Sequence, residues 1–424
     1  MILYQQINKI CNNIGDIISK ILGVIAEYNP FHNGHLFHLE KSKEFVDPDY
    51  TVCIMSGNFV QRGDTSIIDK WSKTEMALKM GVDLVVELPT VYSICSAENF
   101  AEGAIKLLSS FGNDVTLSFG SECGNISILK QIANILYDEP KEYLTILQHE
   151  LSKGISYPKA RENALMFYLG DVRKYANILS SPNNILGIEY LKAMKKLKSN
   201  ISAITIKRTG TDYNSNEINE NFASATAIRN LIKSNKNISE YLPKSSLDIL
   251  NQNIKYGKTV TSIASFEKEI IYTLRKMTLS EIENLQDVNE GLEHLIKNTA
   301  DSCNNLEDLI NSIKSKRYTR SRIQRILLYA LLNITKKDIK DSYKINPYIR
   351  ILGVSHRGKI LLSQISDNKK YPVITSVKRF VDTNNNKILK NMLEKDILAS
   401  NIYTLGYEYD SKANLDYTKK LIIN

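Results

Sequence analysis

Two histidines set three residues apart, His32 and His35, with Gly34 between them, are the residues of this sequence most suited to chemistry. They close the stretch Ala26-Glu-Tyr-Asn-Pro-Phe-His-Asn-Gly-His35, which follows an apolar β-branched run, turns at Asn29-Pro30 and enters a helix at about Gly34. Strand, turn and helix N-terminus in that order make a phosphate site, because helix-start N–H groups and the positive dipole end attract anionic oxygens. Gly34 lets the backbone approach closely. One helical turn brings both imidazoles to the same face, where they can grip one phosphate. An isolated pair of this kind more often merely caps a helix, so its context has to decide.

Three further segments carry candidate side chains. Ser224-Ala-Thr-Ala-Ile-Arg229 offers two hydroxyls, Ser224 and Thr226, at the start of a helical pattern. The loop Ser56–Asp64 is rich in Gly and amide side chains, and Arg62 is its candidate for meeting a small anion. Lys314-Ser-Lys-Arg-Tyr-Thr-Arg-Ser-Arg-Ile-Gln-Arg325 leads into an apolar helix. Helical spacing sets Ile323, Leu327 and Ala330 on one face and Arg322, Arg325 and Tyr329 roughly opposite, a basic stripe backed by a buried one. Such a stripe, with Lys314, Arg317 and Arg320 beside it and Tyr318 or Tyr329 to stack, suits an RNA backbone; a solvated helix face is the plain alternative.

The elements that would position these groups alternate. Ile21–Ala26, Thr51–Met55, Leu84–Leu88, Val115–Phe119 and Ala203–Lys207 read as strands whose unbroken hydrophobicity implies burial on both faces. Leu36–Glu44, Lys70–Lys79, Ala97–Leu108 and Ile185–Lys195 recur at helical spacing between them. The fold class is therefore α/β, a Rossmann-like parallel sheet, and ligands should lie beyond the strand ends at Ala26, Met55, Phe119 and Lys207. Past about Lys236 the pattern becomes helical. The expected division is an N-terminal extension at 1–20, a catalytic domain at 21–236 and, at 237–424, a mostly helical domain that carries the basic stripe suited to RNA.

At 424 residues, 43% hydrophobic and 24% charged, the chain can bury sizeable cores, and disorder is not indicated. A net charge of +9 favours an anionic partner, although a Lys-rich composition also follows from genome bias. Cys11, Cys53, Cys95, Cys123 and Cys303 are scattered singly, without zinc spacing or disulfide density, which fits a reducing, cytoplasmic setting. Met1–Lys20 lacks the apolar core of a signal peptide or membrane span and reads as a short helical extension or a misplaced start codon. No Walker A loop, KMSKS-like loop or Cys/His cluster is present, so no protein-held metal is expected.

The HxGH tetrad directly after a first strand resembles the nucleotidyltransferase superfamily, which includes class I aminoacyl-tRNA synthetases and nicotinamide mononucleotide adenylyltransferase. There the two histidines stabilise charge on the α-phosphate as pyrophosphate leaves. Ser224–Arg229 resembles the segment that closes the triphosphate site in the adenylyltransferase branch, which implies that Arg229 holds β- and γ-phosphate oxygens. The longer words Gly23–His38, Met55-Ser-Gly-Asn-Phe-Val-Gln-Arg-Gly63, Leu117-Ser-Phe-Gly-Ser-Glu122, Ser181-Pro-Asn-Asn-Ile-Leu-Gly187, Ile206-Lys-Arg-Thr-Gly210 and Lys316-Arg-Tyr-Thr-Arg320 are similar to the bacterial tRNA(Met) cytidine acetate ligases over nearly the whole chain.

That resemblance implies two steps. Acetate attacks ATP, which brings Mg²⁺, to give acetyl-adenylate, and the acetyl group then passes to N4 of the wobble cytidine of elongator tRNA(Met). ATP would be lined by Ile25, Ala26, Glu27, Tyr28, Asn29, Pro30, Phe31, His32, Asn33, Gly34, His35, Leu36, Phe37 and His38, and contacted by Gly120, Asn184 and Arg208, with Asn183 a close rival to Asn184. The loop Ser56–Asp64 would form either the acetate or the cytidine pocket. Neither a protein partner nor a membrane is implied. An acetate ligase acting on a protein, as citrate lyase ligase does, a small-molecule adenylyltransferase, and an RNA-binding protein with a degenerate nucleotide site remain as alternatives.

Overall fold

A strand that is apolar at every position must shed water on both faces, and four of the five runs expected to do so form the middle of one sheet; the fifth, Ser202–Lys207, is its edge, exposed at both ends and only partly buried between. The computed structural model describes residues 19–424 other than 113, 156, 172–174, 176, 209–221, 290 and 367–369, so the expected extension falls outside the described residues up to residue 18. The strands are β1 (Ile21–Ala26), β2 (Tyr50–Ser56), β3 (Phe59–Val60), β4 (Asp64–Thr65), β5 (Leu84–Leu88), β6 (Val115–Ser121), β7 (Ser202–Lys207), β8 (Ile349–Val354), β9 (Val373–Ile374) and β10 (Ile422–Ile423). The sheet runs β10-β8-β5-β2-β1-β6-β7, with β9 on β8, while β3 and β4 pair separately. From β5 across to β7 every neighbour is parallel.

Alternation along the strands sorts side chains into two layers. Ile21, Val52, Ile54, Leu84 and Val86 point into one core, which continues into the helices of the C-terminal half through Leu274, Ile310 and Leu327. Leu22, Val24, Cys53, Met55 and Val85 point into the other, beneath the helices Asn33–Val46 and Lys70–Lys79.

β8 lies outside the strands read from the sequence, in the half where the pattern is mostly helical. It pairs antiparallel with β5, with Leu84 opposite Val354 and Glu87 opposite Arg350. Glu87, 1% exposed in an otherwise apolar strand, needs cationic partners, because a lone buried carboxylate is costly. It receives Lys70 Nζ at 2.8 Å and Arg350 Nη1 at 3.0 Å, and Asp416 closes the cluster onto Lys70 at 2.7 Å and onto Arg350. Breaking such a cluster by removing one member costs roughly 3–5 kcal/mol.

The helix Arg320–Leu331 is buried on both sides rather than one. Ile323, Leu327 and Ala330 are buried, and so are Arg325 and Tyr329 on the face expected to be basic and open. Tyr329 is 0% exposed and its hydroxyl donates to Ile94 O at 2.8 Å. Gly63, at φ 76°, sits so close beneath this helix that a Cβ there would lie 2.4 Å from the Arg325 nitrogen. The helix is therefore wedged against the loop after β2, which supplies the second apolar contact that the spacing alone did not reveal.

Candidate active site

β1 ends at Ala26, and the chain reverses through Tyr28, at φ 45°, and the cis Asn29–Pro30 peptide. Asn29 pins the turn, donating to Thr65 O at 3.0 Å and accepting from Ile67 N at 2.7 Å. Tyr28 and Phe31 are buried with ring centroids 4.6 Å apart, so they hold the turn from inside. The helix Asn33–Val46 then starts with His32 as its N-cap.

The two imidazoles cap this helix reciprocally. His32 Nδ1 accepts from Gly34 N at 3.1 Å, and His35 Nδ1 accepts from His32 N at 3.3 Å. A neutral ring whose Nδ1 is an acceptor carries its proton on Nε2. The rings stack with centroids 3.8 Å apart and 27° between planes, so capping and presentation of two Nε2–H donors are one arrangement. Among the described residues no group takes either Nε2–H.

Burial first, then the charges of Arg208 and Arg229, lowers the His32 pKa to about 3. His35 is held well below the usual range by burial, His32, Arg208 and His38, and His38 falls to about 4 through burial and Arg208. At neutral pH all three rings are uncharged. The positive charge facing an anion thus belongs to the two arginines, and the imidazoles serve as aimed neutral donors.

One expectation needs correcting. The helix-start N–H groups were expected to bind phosphate directly, but Asn33 N donates to Tyr241 O at 2.9 Å, Gly34 N to the His32 ring, and His35 N to His32 O at 2.8 Å. These groups already have partners inside the protein, since a donor buried without one is costly. Imidazole N–H, guanidinium groups and the helix dipole remain for a phosphate.

Around this centre the chain gathers most of the other candidates. Gly120 lies within β6, two residues longer than read, and a Cβ there would meet Arg208 Cγ at 3.4 Å. Arg208 follows β7, exposed, its N–H donating to Ser121 O at 3.0 Å. Asn184 accepts from Cys123 N at 3.0 Å, whereas Asn183 donates its Nδ2 to Glu122 at 2.7 Å. Asn184 therefore keeps its carboxamide N–H groups, and Asn183 has committed one of its two. Ser224 caps the helix Ala225–Lys233, and Thr226 accepts from Arg229 Nη2 at 3.2 Å instead of capping. Arg229 Nη1 donates to Asn29 O at 2.8 Å, which ties this helix to the histidine turn. Ile25 and Ala26 end β1, Leu36 is half-buried, and Phe37 packs on Phe222 with centroids 6.1 Å apart.

Sequence reasoning passed over Lys73, Glu122, Ser42 and Ser118. Lys73 is fully buried and donates to Glu27 O, Ser56 O and Gly57 O at 2.8–2.9 Å, stapling the ends of β1 and β2; burial lowers its pKa to about 8. Glu27 in turn accepts from Gln61 N at 2.9 Å, so the loop Ser56–Asp64 hangs from the same strand end. A lysine flanked by helix-forming residues gave no signal of this.

The basic segment splits. Lys314, Arg317 and Arg320 are exposed, with Arg320 on Glu307 at 2.7 and 2.6 Å. Arg322 donates to Asp287 O and lies over the Tyr318 ring at 5.0 Å, and Arg325 pairs with the Asp287 carboxylate at 3.2 Å. No helix among the described residues is long and apolar enough to cross a membrane, and none of their acidic, Cys or His side chains cluster as a metal site.

A parallel sheet with a stacked histidine pair capping the helix after its first strand defines a nucleotidyl transferase, and the family model described as HIGH nucleotidyl transferase matches residues 19–418. The tRNA(Met) cytidine acetate ligase of Thermoanaerobacter sp. (strain X514) is 46% identical over 404 residues, covering 95% of this chain and 99% of that one. That of Acetivibrio thermocellus is 43% identical over 414 residues, covering 95% and 100%. The crystal structure of Thermotoga maritima TmcAL bound with alpha-thio ATP matches with a TM-score of 0.88 at 35% identity, over 95% of this chain and 99% of that one. Within the HIGH nucleotidyl transferases, the chain belongs to the tRNA(Met) cytidine acetate ligase family.

Proposed function

We propose that this protein joins acetate to tRNA in an ATP-dependent reaction, forming acetyl-adenylate and passing its acetyl group to N4 of the wobble cytidine of elongator tRNA(Met). The observation that carries the reading is the stacked pair His32 and His35 at the head of a helix, with Arg208 close enough to act on both rings and Arg229 on His32. In the first step a carboxylate oxygen of acetate bonds to the α-phosphorus and the bond to pyrophosphate breaks. The neutral imidazoles donate to the oxygens on which charge builds, and Arg229 with the Ser224 helix receives the departing phosphates. Mg²⁺ enters as the counter-ion of ATP. In the second step the cytidine amine attacks the acetyl carbon, AMP leaves, and the amine proton passes to solvent or a nearby base.

Lys314 and Arg317 supply exposed cationic side chains for the tRNA backbone in this reading, with Arg320 beside them already paired to Glu307, while Arg322 and Arg325 hold their helix in place through Asp287. Both the fold's strand-end crevice and the names of the relatives support the assignment, as does the bound nucleotide analogue in the Thermotoga maritima protein. Incubation with ATP, labelled acetate and tRNA(Met) should place the label in the RNA, and mass analysis should find it on cytidine. Label on a protein, or none that depends on acetate, would overturn the reading.

A further inference from the structure

The helix that begins at His32 carries a third histidine whose hydrogen bonds run opposite to those of the first two. Ser42 Oγ donates to His38 O at 2.6 Å, and a carbonyl can only accept. The one hydroxyl proton of Ser42 is thereby spent. The 2.7 Å contact between Ser42 Oγ and Ser118 Oγ must then use the Ser118 proton. Ser118 has only lone pairs left for His38 Nε2 at 3.1 Å, so His38 Nε2 carries the proton. Its Nδ1 is left as a lone pair. Both serines are essentially fully buried, so solvent cannot reverse the chain of donors.

The three rings therefore sort a ligand by hydrogen-bonding sense. His32 and His35 direct Nε2–H donors at it, and His38 offers an acceptor. Phosphate oxygens carry no proton at neutral pH and are repelled by an imidazole lone pair. ATP has donors only in its nucleoside half, the two ribose hydroxyls and the adenine 6-amino group. His38 lies six residues beyond His32, about 9 Å along the helix axis, and the Arg208 charge that reaches His32 and His35 reaches it too. Ser118 and Gly120 share one face of β6, and Gly120 stands against Arg208, so the His38 ring, held on Ser118 through Nε2, lies beside the groups already placed around the nucleotide.

We propose that His38 reads the nucleoside half of the bound nucleotide by accepting a hydrogen bond at Nδ1, with Ser42 and Ser118 as positioning residues that fix its tautomer; this rests on the ATP reading above. Calorimetric binding of ATP, 2′-deoxy-ATP, 3′-deoxy-ATP and the purine analogue lacking the 6-amino group, without acetate or RNA, tests it. The wild-type protein should bind one of the three analogues about tenfold more weakly than ATP, the worth of one good hydrogen bond. His38→Ala should bind ATP more weakly by a similar factor and treat that analogue and ATP alike, its ratios for the other two unchanged. Ser42→Ala frees the Ser118 proton for His38 and should shrink the same ratio while thermal unfolding stays cooperative. Nitrogen-15 shifts of His38 should report Nε2–H in the free wild-type protein. Identical discrimination by His38→Ala and wild type, or a proton found on Nδ1, overturns the inference while leaving ATP binding intact. A wild-type protein that binds no ATP overturns the nucleotide reading itself.

Discussion

Replacing His32 with Asn tests whether burial really strips that ring of its charge. Asn is among the preferred N-cap residues, so the Gly34 N–H keeps a side-chain acceptor while the titrating group disappears. In the folded protein His32 has a pKa of about 3, and in the unfolded chain it returns to 6.5. Between those values the unfolded chain binds a proton that the folded chain refuses. Unfolding free energy therefore falls as pH drops through 6.5, and continues to fall until about 3. From pH 7 to pH 5 the linkage relation gives a loss of ~2 kcal/mol from this one ring. Urea unfolding of wild type and His32→Asn at both pH values measures it. The variant should lose ~2 kcal/mol less than wild type over that interval. Equal losses would mean that His32 is open to water in the folded state, and the account of aimed, neutral donors would be wrong.

Other outcomes can be checked separately. Acetate-dependent exchange of pyrophosphate into ATP should fall roughly 10²–10³-fold in His35→Ala, the loss typical of one oxyanion-hole donor, and a change of only a few-fold would remove its catalytic role. Tyr329→Phe strands the Ile94 carbonyl and should lower stability by about 1–3 kcal/mol in urea unfolding; an unchanged midpoint would contradict the wedged helix. Gly63→Ala, which meets the Arg325 backbone and needs a positive φ, should destabilise by about 1–3 kcal/mol, whereas a solvent-facing loop would tolerate it. In filter binding of tRNA(Met), Lys314→Ala, Arg317→Ala and Arg320→Ala should each reduce the slope of log affinity against log salt by up to about 1, and Arg325→Ala should chiefly lower stability.

Strands that are apolar throughout announce themselves, and all five expected in the first half lie where the pattern put them, with β2 and β6 each two residues longer and β7 one, although β7 is an edge strand and not a doubly buried one. β8 escaped because Ile349–Val354 is a short run among helices, and nothing local says that it crosses back to β5. The informative residue was Glu87: a carboxylate in the middle of an apolar strand demands buried cations, and Lys70 and Arg350 supply them from distant parts of the sequence. The histidine pair was legible from spacing, since a helix N-cap and its N3 position are three residues apart whatever the fold. Occupation of the Asn33 amide by Tyr241 was not, because that contact joins segments about 200 residues apart. The arginine stripe shows the complementary failure. Helical periodicity reports which residues share a face, and it is silent about whether a second surface covers that face, as Gly63 and Ile94 cover Tyr329 and Arg325.

The seam where Leu84 faces Val354 carries a consequence for how the protein is made. A ribosome delivers β5 long before β8, so one margin of the growing sheet waits with unsatisfied amides and carbonyls while the intervening helices are synthesised. The carboxylate of Glu87 has Lys70 at hand from the start but gains its second cation only when Arg350 emerges, so that margin stays charged and wet until then, which discourages premature stacking of nascent chains on it. Late capture of Glu87 thus acts as a safeguard during translation, and slow-translating or chaperone-poor hosts should expose its value as a higher yield of soluble protein than a Glu87→Val, Arg350→Val pair would give.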